Sequence, residues 1–239
     1  MSGGDMDVKK LKCVVKALVV VFVFAVCVWW GNRARQIFFG AEIWQPRVIL
    51  DAGHGGEDGG AVSLTGQKES LINLSVALKL DQLLALFGEA PLLLRETDIS
   101  LHDEGAVTLR EKKVSDLKNR VNVAEQYPEA WLVSIHQNSY PEQKYHGTQV
   151  FYAPTDGSQQ LAQSLQRAAK EYLQPENERP EKEIPSSVYL MNHVENVAVL
   201  IECGFLTNPE EEQLLQRESY QRKLAMVIGA GLMNALEQE

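Results

Sequence analysis

Arg47-Val48-Ile49-Leu50-Asp51 is a short apolar run that stops at Ala52-Gly53-His54-Gly55-Gly56, a turn rich in glycine. A brief apolar stretch bounded by turn residues reads as a strand buried on both faces, the kind that parallel sheets are built from. Downstream, Ile72, Val76, Leu80, Leu83, Leu84 and Phe87 recur at helical spacing, and Gly88 supplies a C-terminal stop. Ala90–Arg95 (APLLLR) predicts a second strand, and Leu117, Val121 and Ala124 mark a helix that starts around Ser115. Strands follow at Ala130–Ile135 (AWLVSI), Gly147–Ala153 (GTQVFYA) and Val197–Ile201 (VAVLI). Leu161, Leu165, Ala168, Ala169 and Tyr172 form one helical face between the last two. Asn208-Pro209-Glu210-Glu211-Glu212 has a capping residue, proline at the first helical position and acidic residues in the first turn; Tyr220, Leu224, Val227, Ile228 and Leu232 continue that final helix. Strands alternating with helices predict a single α/β domain, with a mostly parallel, twisted sheet covered by helices on both faces.

The stretch upstream is of another kind. Ala17–Trp30 (ALVVVFVFAVCVWW) holds no charge, lies at the short end of a membrane span and closes on a tryptophan pair suited to the interface. Four lysines precede it and two arginines follow, with no A-x-A-like cleavage site. The expected organisation is a basic segment over 1–16, a transmembrane signal anchor over 17–30, a linker over 31–46 and a catalytic domain over 47–239. By the positive-inside rule that domain lies on the extracytoplasmic side.

Charge divides along the same boundary. Residues 1–46 carry six basic and three acidic side chains, whereas 47–239 carry 17 basic against 29 acidic, a net −12. A body this acidic is repelled by phosphate backbones, which excludes nucleic acid as a partner. Three cysteines, two of them inside the apolar run, make no disulfide framework.

In open α/β sheets functional groups gather at the carboxyl ends of strands. His54 follows the first strand, His136 ends the third, Glu202 ends Val197–Ile201, and Glu69 opens the first long helix. Two imidazoles and a carboxylate suit tetrahedral zinc and leave its fourth position open. A further carboxylate beside that position can deprotonate the water held there. Asp51 is the expected partner fixing an imidazole tautomer. Spacing alone leaves Glu57 and Asp58 open as ligands, and Arg95 or Arg120 could instead neutralise Glu202. His102 and His146 fall in polar loops and His193 in a turn, as surface histidines do. Cys203 reads as a small buried hydrophobe.

Asp51-Ala52-Gly53-His54-Gly55-Gly56, Lys68-Glu69-Ser70, Ser134-Ile135-His136-Gln137-Asn138 and the stretch 201–212 (IECGFLTNPEEE) together resemble the zinc N-acetylmuramoyl-L-alanine amidases of bacterial cell-wall remodelling. The resemblance spans essentially all of 47–239. It implies hydrolysis of the amide between the muramic acid lactyl group and the L-alanine of the peptidoglycan stem peptide. It further implies Zn2+ held by His54, Glu69 and His136, with Glu202 as the catalytic glutamate, and so selects Glu69 over Glu57. Residues 100–125 and the anchor resemble the germination-specific subgroup, which prepares spore cortex for muramic-δ-lactam formation. A protein activator is compatible with the family but has no signature here. Two other readings stay open on the residues alone: another zinc peptidoglycan hydrolase, an endopeptidase or carboxypeptidase, and an inactive wall-binding scaffold.

Overall fold

The computed structural model describes residues 45–237. Six strands form one sheet: β1 (Val48–Ala52), β2 (Leu92–Leu93), β3 (Trp131–Asn138), β4 (Gln149–Tyr152), β5 (Lys182–Glu183) and β6 (Ala198–Phe205). Their spatial order is β2-β1-β3-β6-β4-β5. Five helices accompany them: α1 (Glu69–Leu86), α2 (Leu109–Glu125), α3 (Ser158–Tyr172), α4 (Pro209–Leu215) and α5 (Glu218–Leu236). A single 3-10 turn, Leu190–Asn192, precedes β6.

The α/β domain expected from the sequence is present, but its sheet is mixed. Neighbours β1–β2, β1–β3, β3–β6 and β4–β5 are parallel, while β4 runs antiparallel to β6. The reason lies in the connection 139–148. It leaves the upper edge of the sheet with no helix of its own, so it cannot return to the lower edge as a parallel crossover must. β4 therefore enters from the top and descends.

Alternation along the strands sorts residues to two faces. Val48, Leu50 and Ala52 of β1, Trp131, Val133 and Ile135 of β3, and Val199, Ile201 and Cys203 of β6 share one core with α1, α3 and α5. Ile49, Leu132, Ala198 and Leu200 pack on the other side with Val121 and Ala124 of α2 and with Leu190 and Met191 of the 3-10 turn. Helical cover on both faces is thus as expected.

Several boundaries moved. α2 begins at Leu109, earlier than expected, because Thr108 and Glu111 form a capping box in which each side chain accepts from the other residue's backbone N–H. The expected strand over 90–95 shrinks to Leu92–Leu93, since Pro91 has no N–H to give and Arg95 turns its side chain inward. Asn208 caps α4 as read, with Pro209 at its first position, but the chain breaks at Gln216-Arg217 and α5 is a separate helix. Among the described residues no helix is long and apolar enough to cross a membrane. The expected anchor over 17–30, the segment 1–16 and nearly all of the linker 31–46 lie outside them.

Candidate metal centre and active site

The site is built just after β1 and in the carboxyl-terminal halves of β3 and β6; His136 and Glu202, expected at strand ends, lie within strands that run on to Asn138 and Phe205. On these strands the positions that alternate with the apolar core carry Asp51, Ser134, His136 and Glu202, which line a cleft of about 260 Å³ beside α2. His136 and Glu202 are direct cross-strand partners. The turn after β1 brings in His54, and the first residue of α1 brings in Glu69.

Two glycines make room for these side chains. A Cβ on Gly53 would stand 2.1 Å from His136 Nε2, and one on Gly60 would stand 2.5 Å from Glu69 Oε2. Between them His54 adopts φ +62°, the one left-handed non-glycine among the described residues. Such a conformation costs on the order of 1–3 kcal/mol and persists only where its surroundings enforce it. Here Gly53 N–H donates to the Ile135 carbonyl, Gly55 and Asp58 pair through their backbones, and Arg120 Nη2 donates to the His54 carbonyl.

His54 Nε2 lies 3.4 Å from Glu69 Oε2, and His136 Nδ1 lies 2.9 Å from Glu69 Oε1. One donor atom from each residue falls within 4.8 Å of the others, a group that could hold a metal ion. Neutral nitrogens with one carboxylate are donors suited to zinc, so the residues fit that ion. Backing is provided by Asn73 Nδ2, Gln137 N–H and Ala61 N–H, which all donate to the Glu69 carboxylate. Although burial alone would raise it, the hydrogen bond and charge of His136 hold Glu69 down at about 2. His136 is raised in turn by Glu69, against its own burial.

Glu202 stands apart. Its Oε2 is sealed from solvent and has no hydrogen-bond partner. Burial, reinforced by the charge of Glu69 and only partly offset by His136, pushes its carboxyl up to about 7. Neither buried arginine neutralises it. Arg95 spends its donors on the carbonyls of Ala52, Gly53, Ser70 and Thr97. Arg120 is bound to Asp51, Asp116 and the carbonyls of Ala52 and His54.

Asp51 does not orient an imidazole, as the sequence suggested. It accepts from Arg120 and from Ser134 Oγ, and the charge of Arg120 holds it low despite complete burial. The imidazole partner is Asp58, whose Oδ2 is 2.9 Å from His54 Nδ1. Glu57 is drawn outward to Lys112, 2.6 Å away, and takes no part in the donor group. Cys203 is buried, and its thiol is pushed up to about 12, as an inert core residue. His102 bonds Ser100 Oγ, His146 lies in the 139–148 connection, and His193 stacks on Tyr189; none joins the group. The Arg95 and Arg120 clamps were not read from the sequence. The only signal for them was two arginines inside otherwise structural stretches.

Two histidines and a helix-start glutamate that could hold a metal ion thus stand beside an unpaired glutamate of β6. Residues 48–234 match the N-acetylmuramoyl-L-alanine amidase family, and the chain belongs to it. It is a hydrolase acting on an amide bond of peptidoglycan. The germination-specific N-acetylmuramoyl-L-alanine amidase of Bacillus subtilis (strain 168) is 36% identical over 189 residues, 78% of each chain. The CwlD amidase of Clostridioides difficile, solved in complex with the GerS lipoprotein, superposes with a TM-score of 0.77 at 38% identity, covering 80% of this chain and 98% of that one. A second N-acetylmuramoyl-L-alanine amidase, from Clostridium difficile 630, gives 0.68 at 32% identity over 82% of this chain and 98% of its own.

Proposed function

We propose that His54, Glu69 and His136 hold a zinc ion and that Glu202 is the general base and acid of the amidase. The observation that carries this reading is one carboxyl, Glu202, left without a partner beside a cluster in which every other acid is paired. A zinc ion held by the three donors would supply Lewis acidity to the scissile carbonyl and to the attacking water. Glu202, unpaired beside the donor group, takes the proton of that water. The same carboxyl returns the proton to the departing amine of L-alanine. Asp58 fixes the His54 ring through Nδ1, so that Nε2 faces the donor group.

The finer setting is spore cortex, with cleavage ahead of muramic-δ-lactam formation. Likeness to the germination-specific enzyme of Bacillus subtilis supports it. The apolar run 17–30 anchors the chain and leaves the catalytic domain outside the cytoplasm. That the similar Clostridioides difficile enzyme was solved with a lipoprotein supports a protein partner for this chain.

The test is a digest of purified cortex and vegetative peptidoglycan by the zinc-supplemented full chain, read by mass spectrometry. Stem peptides beginning with L-alanine, released with muramic acid bare at its lactyl group, are expected. Cuts within the stem peptide would assign the same site to a peptidase.

A further inference from the structure

The two walls of the cleft differ in charge. One is α2, which presents Lys113 and Leu117 together with Asp116 and Arg120 bonded to each other; the other is the segment before the 3-10 turn, which presents Ser187, Val188 and Tyr189 without a charged group. Two side chains with a fixed positive charge line the cleft, Arg120 and Lys113. Arg120 is buried, and all three of its guanidinium nitrogens are bonded to Asp51, Asp116 and the carbonyls of Ala52 and His54. It has nothing to offer a ligand.

Lys113 is different. Its ammonium touches Asp58 Oδ2 at 3.2 Å, and its side chain is 51% exposed. An ammonium has three donors, so two remain free. Asp58 holds the group over the cleft, directly beside the His54 ring that it also orients. The neighbouring Lys112 is turned away by its pairing with Glu57.

The substrate is equally lopsided about its scissile bond. On the glycan side the lactyl carboxyl is consumed in the amide, leaving an uncharged sugar. On the peptide side the second residue, a γ-linked D-glutamate, keeps a free α-carboxylate. We infer that Lys113 is a specificity-determining residue that binds the carboxylate of the second stem-peptide residue, which places the peptide limb along α2 and the glycan limb against Ser187–Tyr189. This deepens the amidase reading and rests on it. In a domain of net −12, a local cation is the means by which an acidic protein can hold an acidic peptide.

Two synthetic muramoyl peptides test this: one with the free α-carboxylate at the second residue, the other with that group as its amide. The zinc-supplemented full chain should cleave the acid on the order of five- to tenfold better in kcat/KM, the range of a half-exposed charge-assisted contact. Lys113→Met and Lys113→Gln should each bring the acid-to-amide ratio of kcat/KM close to one, and Lys113→Arg should keep it. The ratio is indifferent to uniform loss of fold or zinc occupancy, because both substrates meet the same enzyme. A preference that survives in both neutral variants, or none in the wild type, overturns the assignment while leaving the amidase standing. Cleavage of neither peptide by the wild type overturns the amidase reading, and this assignment with it.

Discussion

The same three strands serve two regions that obey opposite rules. On the α1/α3/α5 face, β1, β3 and β6 present Leu50, Val133, Ile135, Val199 and Ile201, sealed and apolar. One residue along, on the α2 face, they present Asp51, Ser134, His136 and Glu202. The first face gains stability by excluding water. The second keeps a left-handed histidine, two glycine-dependent close approaches and an unpaired buried carboxyl. Placing both on shared strands lets a rigid core position a strained site, with the left-handed His54 in the turn just after β1.

Substitutions on each face should separate these roles. The largest effect is expected from Glu202→Gln, which should lower kcat roughly 10²- to 10⁴-fold while zinc stoichiometry, measured by elemental analysis, stays at the wild-type level. Leu80→Ala, on the fully buried face of α1, should behave in the opposite way. A cost of about 3 kcal/mol should lower Tm by about 6–12 °C, with kcat at low temperature kept. Gly53→Ala tests the junction. Its new methyl meets the His136 ring, so zinc affinity by competition with a chelator should weaken about 10- to 100-fold without loss of helical circular dichroism.

A pH series distinguishes the two faces more finely. The folded Glu202 carboxyl, at about 7, lies above its unfolded value of 4.5, so the native metal-free state holds that proton longer than the unfolded one. Its contribution to stability is intact below pH 4.5 and lost as pH climbs toward 7. Metal-free Glu202→Gln should therefore gain Tm relative to the wild type across that interval; a constant difference would remove the burial argument. The smallest effect is expected at Thr108→Ala, which deletes the cap of α2 at about 1 kcal/mol and should lower Tm by about 2–4 °C.

The sequence made some of this legible and not the rest, for physical reasons. The apolar runs that became β1, β3 and β6, and the periodic face of α1, record burial directly, so those elements were found where they were read, but β3 and β6 run on through polar and glycine positions to Asn138 and Phe205. His54, His136 and Glu202 became candidates because they follow those runs, whereas Glu69 was selected over Glu57 only through the family resemblance. The start of α2 was missed because Leu109 and Val114 are exposed, so no apolar period marks the first turns. The Thr108-to-Glu111 spacing was the readable cue. Asp51 was misassigned because its partner, Arg120, is 69 positions away, and no local pattern shows which of two acids an arginine reaches. Asp58, four residues from His54, comes within reach only because the backbone folds back through the Gly55–Asp58 pairing.

The strand order β2-β1-β3-β6-β4-β5 also bears on how the site is completed. β6, the last strand among the described residues, fills the lane between β3 and β4 and so joins β2-β1-β3 to β4-β5. The three candidate metal donors thus precede β6 in the chain, and Glu202 comes only with it. Completion of the site thus depends on the strand that joins the two parts of the sheet.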